Sequence, residues 1–378
     1  MLLDTRKFFT GLVLLNVVVP MHGQSNGKSQ DDTVRLNEIQ VIGTHNSYHA
    51  GLAPSEAKLL AKIDPVEARA LDYRHTPLEA QLAAGMRELE LDVYPDPEGG
   101  RYVASRGLKD VVAAGLPPDD PRYYPDGLMA KPGFKVMHKP DTDYRSNCQP
   151  FVECLRQIRK WSAANPGHVP VFLFIETKVP TTLKPRDMDD LDSEVRSVFS
   201  PKEMVTPDDV RGERASLREA VQKDGWPSLV RCRGKVVFLM AREEVADVYR
   251  VGHPQLRGRV MFINGKLSDP DTVFTVQSKN KHGGIQQLVA DGMLVLTRAD
   301  ADMVEARIGD TRRREAAFES GAQLVSTDYP VSEPAVWSGY TVQFAKGEVA
   351  RCNPVLRPKG CSNGELEPVT GSALAETR

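Results

Sequence analysis

A chain of 378 residues with 40% hydrophobic and 26% charged side chains has ordinary globular composition. A formal net charge of −2 and a pI near 6.5 exclude a global field that would draw nucleic acid or an anionic membrane. Any anionic ligand must therefore be held by local cations or by a metal.

In chain order, the amino terminus comes first. Arg6 and Lys7 precede the apolar run Phe8 to Pro20, and small and polar residues follow. A basic start, a short apolar core and a polar flank predict a secretory signal over 1–24, then a linker over 25–35. The apolar run is short for a bilayer, although an uncleaved anchor is the other reading. No later segment is long and apolar enough to cross a membrane, so a secreted or periplasmic protein is expected.

Eight short β-rich runs follow: 39–44, 89–94, 135–138, 169–176, 235–240, 259–264, 294–297 and 323–327. Most are nearly continuous apolar runs, as strands buried on both faces of a parallel sheet are. Helical patterns at 77–86, 151–167 and 311–322 stop at or beside glycine shortly before the next strand. Alternating β and α elements predict a single (β/α)8 TIM-type barrel over 36–330, with an open doubly wound sheet as the second choice. The connection 95–133 reads as an irregular loop over the mouth, and 331–378 as a Gly/Pro-rich, loosely ordered extension.

Five cysteines suit an exported protein with a few disulfides. Cys352 and Cys361 are close enough in sequence to bridge, as are Cys148 and Cys154, leaving Cys232 as a buried thiol. No cysteine spacing resembles a zinc site.

Polar residues stand where four of the predicted strands leave the barrel. His45 and Asn46 follow the first, Glu90 and Asp92 lie on the second, His138 ends the third, and Glu176 ends the fourth with Lys178 just beyond. Alternation puts Glu90 and Asp92 on one face. Burying both costs several kcal/mol each unless arginines or a cation pair with them. Asn46, Glu90, Asp92 and Glu176 form an all-oxygen set that suits Ca²⁺, suits Mg²⁺ less and does not suit zinc. Both histidines are then available for acid–base work. Singly, each residue has a plainer reading as a hydrogen-bonded strand end or a salt bridge. His49, His75, His168, His253 and His282 read as surface residues.

The stretches "GTHNSYH" (43–49), "RELELDVY" (87–94), "KVMHKP" (135–140) and "VFLFIETK" (171–178), in this order, resemble the phosphatidylinositol-specific phospholipases C. The similarity is to the secreted calcium-dependent bacterial branch and spans about residues 36–330. It implies a TIM-type barrel that cleaves the diester between diacylglycerol and inositol phosphate at a membrane surface. It also implies His45 and His138 as catalytic histidines and Asn46, Glu90, Asp92 and Glu176 as calcium ligands. Lys178, Arg298 and Tyr329 would contact substrate, although Arg298 could instead pair with Asp300 or Asp328. A monomer without appended lipid-binding modules is expected. Two alternatives stay open: a glycerophosphodiester phosphodiesterase, whose first strand ends in a different motif, and an inactive barrel that only binds phosphoinositides.

Overall fold

Eight parallel strands form the wall: β1 (Ile39–Thr44), β2 (Glu88–Tyr94), β3 (Val171–Thr177), β4 (Val236–Met240), β5 (Met261–Ile263), β6 (Phe274–Val276), β7 (Leu294–Arg298) and β8 (Leu324–Thr327). β1 to β5 neighbour one another in sequence order, and β6, β7 and β8 return to β1. A parallel bridge between Asn264 and Phe274 joins β5 to β6 and closes the TIM-type barrel. The computed structural model describes residues 29–118, 127–179, 182–277 and 282–367, without the side chains of 282 and 283. The predicted signal over 1–24, the first part of the linker, residues 119–126 of the long loop and the last eleven residues lie outside them.

Period-two alternation decides what fills the barrel. The register pairs Glu88 with Phe172, Glu90 with Phe174 and Asp92 with Glu176 across β2 and β3. Phe174 meets Phe274 edge-on with centroids 6.1 Å apart, so this face of both strands lines the interior. Phe172 and Phe174 thus share the lower layers with Glu88 and Glu90, while Asp92 and Glu176 crown the carboxyl end. The opposite faces, with Leu89, Leu91, Leu173 and Ile175, are fully buried under the surrounding helices. Helix Phe151–Ala164 shows why: Phe151, Cys154, Leu155 and Ile158 recur at helical spacing and form its buried stripe.

Two expectations need correction. Residues 135–138 do not form a barrel strand. Lys135–Val136 pairs antiparallel with Tyr94 and Val93, as a short arm folded back on the upper end of β2. The place in the wall belongs to β6, three residues between polar loops and too short to show a period. Nor is the extension loose through its described part. Strand Ala350–Cys352 pairs antiparallel with Ile39–Val41, and Cys352 is disulfide-bonded to Cys361. The reason lies in the register, since β2 pairs with β1 only from Gly43 onward. The lower half of β1 would otherwise present an open edge. Cys148 is bonded to Cys154, and Cys232 is a buried thiol. Among the described residues no helix is long and apolar enough to cross a membrane.

Candidate active site

The turn after β1 is built around Asn46, whose φ of 49° lies in the left-handed region that asparagine tolerates better than most residues. The next residue straps the turn to β2: Ser47 N donates to the Glu90 carbonyl at 3.1 Å, and Glu90 N donates to Ser47 Oγ at 2.8 Å. The Asn46 amide is held at both ends. Its Nδ2 donates to the Tyr73 hydroxyl at 2.8 Å, and its Oδ1 accepts from the Tyr48 hydroxyl at 3.1 Å. Burial and then the charge of Asp92 push that hydroxyl well above the usual tyrosine range, so the Tyr48–Asn46 pair lies close to β2.

Glu90, Asp92 and Glu176 converge at the mouth, each offering a carboxylate oxygen within 4.8 Å of the others. Lys178 Nζ stands 2.6 Å from Asp92 and 3.2 Å from Glu176, and Arg242 pairs with Glu176 as well. Among the described residues Glu90 has no ion pair and Asp92 Oδ1 has no hydrogen-bond partner. Burial, followed by the charges of Asp92 and Glu176, pushes Glu90 well above the carboxylate range. Burial pushes Asp92 up to about 6 against the pull of Lys178. Burial acts the same way on Glu176, but Lys178 and Arg242 outweigh it and hold that group low. Three converging acids with too little positive charge and an orphaned oxygen fit a hard dication.

Beneath them Glu88 is fully buried, and neither of its oxygens has a hydrogen-bond partner among the described residues. Only glycine fits beside it, because a β-carbon at Gly43 would fall 2.1 Å from Glu88 Oε2. Burial raises this carboxyl from 4.5 to about 8, outweighing the nearby Ser326 hydroxyl and then Arg298, so the protonated form prevails at neutral pH. A raised acid supports the fold below its unfolded value and loses that support as pH rises through its folded value. In chelator, Glu88→Gln should therefore melt like the parent near pH 4.5 and be more stable above about pH 8. The gain should be on the order of 3–5 kcal/mol. Parallel pH profiles for the two proteins would refute this.

Each site histidine is backed by a carboxylate. His45 Nδ1 donates to Asp328 Oδ1 at 2.8 Å, and Arg298 Nη2 donates to Asp328 Oδ2 at 2.9 Å. Burial, and next the Arg298 charge, lower His45 to about 4 despite Asp328, so its imidazole is neutral at pH 7. His138 Nδ1 donates to Asp143 Oδ2 at 2.8 Å. His138 follows the Lys135–Val136 arm, and its carbonyl accepts from the Tyr94 hydroxyl at 2.8 Å, which fixes it over β2. Beyond the larger effects already named, His45 acts on Glu176, and His138 acts on Asp92 and on His45. The two imidazoles and the acid trio thus share one electrostatic neighbourhood.

Arg298 is engaged by Asp328 and, at 3.4 Å, by Asp300. Tyr329 is buried edge-on against Trp337 and Tyr340, its hydroxyl without a hydrogen-bond partner among the described residues. It borders a cleft of about 640 Å³ that also includes Tyr73, His75 and Asp328. Asp143 and Tyr73 were not singled out from the sequence, and Asp328 was named there only as an alternative partner of Arg298, a pairing the structure contains. They sit in turns that look like any others until folding puts each against a site residue. Three histidines are also not on the surface: His49 bonds Asp143, His75 bonds Glu333, and His168 bonds Ser162, all buried.

The family model for calcium-dependent phosphoinositide phospholipase C matches residues 34–354. The chain belongs to this family. As a member it is a phospholipase C whose cofactor is Ca²⁺. The fold is shared with a calcium-dependent phosphoinositol-specific phospholipase C from a Pseudomonas species: TM-score 0.53, 16% identity, 86% of this chain and 97% of that one covered. The enzyme from Streptomyces antibioticus gives a TM-score of 0.50 at 18% identity over 78% of this chain and 95% of that one. No curated protein matches the chain in sequence.

Proposed function

We propose that this phospholipase C cleaves phosphatidylinositol to diacylglycerol and inositol 1,2-cyclic phosphate, which water can later open to inositol phosphate. The observation that carries this reading is the acid trio next to two imidazoles, each anchored by its own buried carboxylate. Asn46, Glu90, Asp92 and Glu176 would hold Ca²⁺, which supplies Lewis-acid stabilisation for the attacking hydroxyl and the phosphoryl oxygens. His45, neutral and oriented by Asp328, takes the proton of the inositol 2-hydroxyl. His138, oriented by Asp143, donates to the departing diacylglycerol oxygen. Lys178 adds positive charge for the phosphate, and the Tyr329 ring offers an apolar wall for the inositol. Arg298 serves here by bracing Asp328 behind His45.

Phosphorus NMR of the products tests this directly. A cyclic phosphate that forms with calcium and not with chelator supports the proposal. Glycerophosphate as product would favour the glycerophosphodiesterase reading, and binding without turnover would favour an inactive barrel.

We further infer peripheral membrane contact by a monomer, exported by its amino-terminal signal. An exported protein that retains the mass of the full chain would count against the cleaved signal. Segments that follow β1, β7 and β8, on the side of the barrel that bears the site, expose Ile63 (72%), Ile308 (75%) and Val336 (87%). Serine at both Ile308 and Val336 should weaken partition onto phosphatidylinositol vesicles by roughly 10²-fold or more, since burying one such side chain contributes roughly 1.5–3 kcal/mol. Turnover of a monomeric short-chain substrate should not change. Unaltered vesicle binding would move the contact elsewhere.

A further inference from the structure

We propose that His49 is a positioning residue for proton transfer at His138, acting through the carboxylate the two imidazoles share. The inference rests on the phospholipase reading above and extends it to a residue outside the proposed catalytic and calcium set.

His49 closes the turn that begins with His45, and its side chain is wholly buried. Its Nε2 lies 2.9 Å from Asp143 Oδ1 and 3.0 Å from Oδ2, while His138 Nδ1 lies 2.8 Å from the same Oδ2. Asp143 is wholly buried too, so its lone pairs must be met by protein groups. Its side-chain partners among the described residues are these two rings. A donor at His49 holds the carboxylate in one rotamer and leaves Oδ2 directed at His138. Without that donor the carboxylate can turn, and the His138 ring loses its fixed tautomer and heading.

The ring is fixed on its other side as well. Nδ1 is buried with no hydrogen-bond partner among the described residues, and the ring packs on Tyr73 with centroids 4.5 Å apart. Nε2–H is therefore the donor that the ring directs at Asp143.

The backbone of His49 also joins the two halves of the site. Its N–H donates to the Asn46 carbonyl at 2.7 Å, its carbonyl accepts from His75 N at 2.8 Å, and it forms an antiparallel bridge with Ser146. The turn carrying Asn46 and the loop carrying His138 and Asp143 therefore meet at this residue. An ordinary buried histidine would contribute stability alone. A positioning residue contributes to kcat as well.

The test compares His49→Gln, whose amide nitrogen can replace Nε2, with His49→Asn, whose shorter amide cannot reach it, and with His49→Leu. In the presence of calcium, Asn and Leu should lower kcat by about 10- to 100-fold with KM within about twofold, and Gln should recover most of the loss. In protein labelled with ¹⁵N-histidine and free of substrate, the His138 Nδ1–H resonance should persist in the parent and in Gln. It should broaden or disappear in Asn and Leu. The proposal is overturned if Gln and Asn are equally impaired, if losses merely track melting temperature, or if that resonance is the same in all variants. A parent inactive on phosphatidylinositol would count against the phospholipase reading alone, because the resonance is read without turnover.

Discussion

Alanine at His45 or at His138 should each lower kcat on phosphatidylinositol by about 10²-fold or more, with calcium affinity nearly unchanged. The size follows from what each ring does in the proposed reaction. A positioned general acid or base is worth roughly 10²–10⁴ in rate, and neither histidine belongs to the proposed metal set. His45 is the more sensitive test. It is neutral at pH 7 and aimed by Asp328, whose other oxygen is occupied by Arg298. Because both rings serve one transfer, the double variant should fall short of the product of the single losses. A loss of only a few-fold at either position, measured at saturating calcium, would remove that ring from the chemistry.

Glutamine at Glu176 should raise the calcium concentration for half-maximal activity by about tenfold or more. The change removes one of three converging negative charges and keeps the side chain's shape. In the chain as described, Glu176 is paired with Lys178 and Arg242, and both cations must share this carboxylate with a bound ion. The variant therefore also reports which competitor matters more. If the ion-pair role dominates, activity falls through disorder of Lys178 and the calcium response stays put. If the ligand role dominates, high calcium restores most of the rate. Parental activity at low calcium would exclude Glu176 from the metal set. A calcium titration of turnover distinguishes the three outcomes.

The barrel was legible because most of its strands are continuous apolar runs and because the helices between them end at glycine. β6 was not, because Phe274–Val276 offers three residues between polar loops, and only its parallel pairing with Leu294–Leu296 and the Asn264 bridge place it in the wall. The 135–138 run has a strand's composition, yet it pairs antiparallel on β2 instead of joining the wall. His138 nonetheless lies near the acids, since an arm folded back on β2 and a strand beside it lead to the same mouth.

The acid trio was legible for a related reason: carboxylates on a strand buried on both faces demand a partner wherever the fold puts them. The carboxylates behind the histidines were not. Asp328 lies 283 residues from His45, and Asp143 sits in a turn where aspartate is commonplace. The misreading of His49 and His75 as surface groups has the same origin. Each is buried only because a distant acid, Asp143 or Glu333, satisfies it.

The central claim is that one calcium ion sits among Asn46, Glu90, Asp92 and Glu176 with both imidazoles next to it. A crystal structure of the protein grown with Ca²⁺ and inositol tests this most directly. The account predicts one ion bound at about 2.3–2.6 Å by oxygens of all four side chains, with Lys178 and Arg242 turned from Glu176. It also predicts His45 and His138 within hydrogen-bond reach of the inositol site. An ion bound elsewhere, or Glu176 still held by its two cations with calcium saturating, would contradict it.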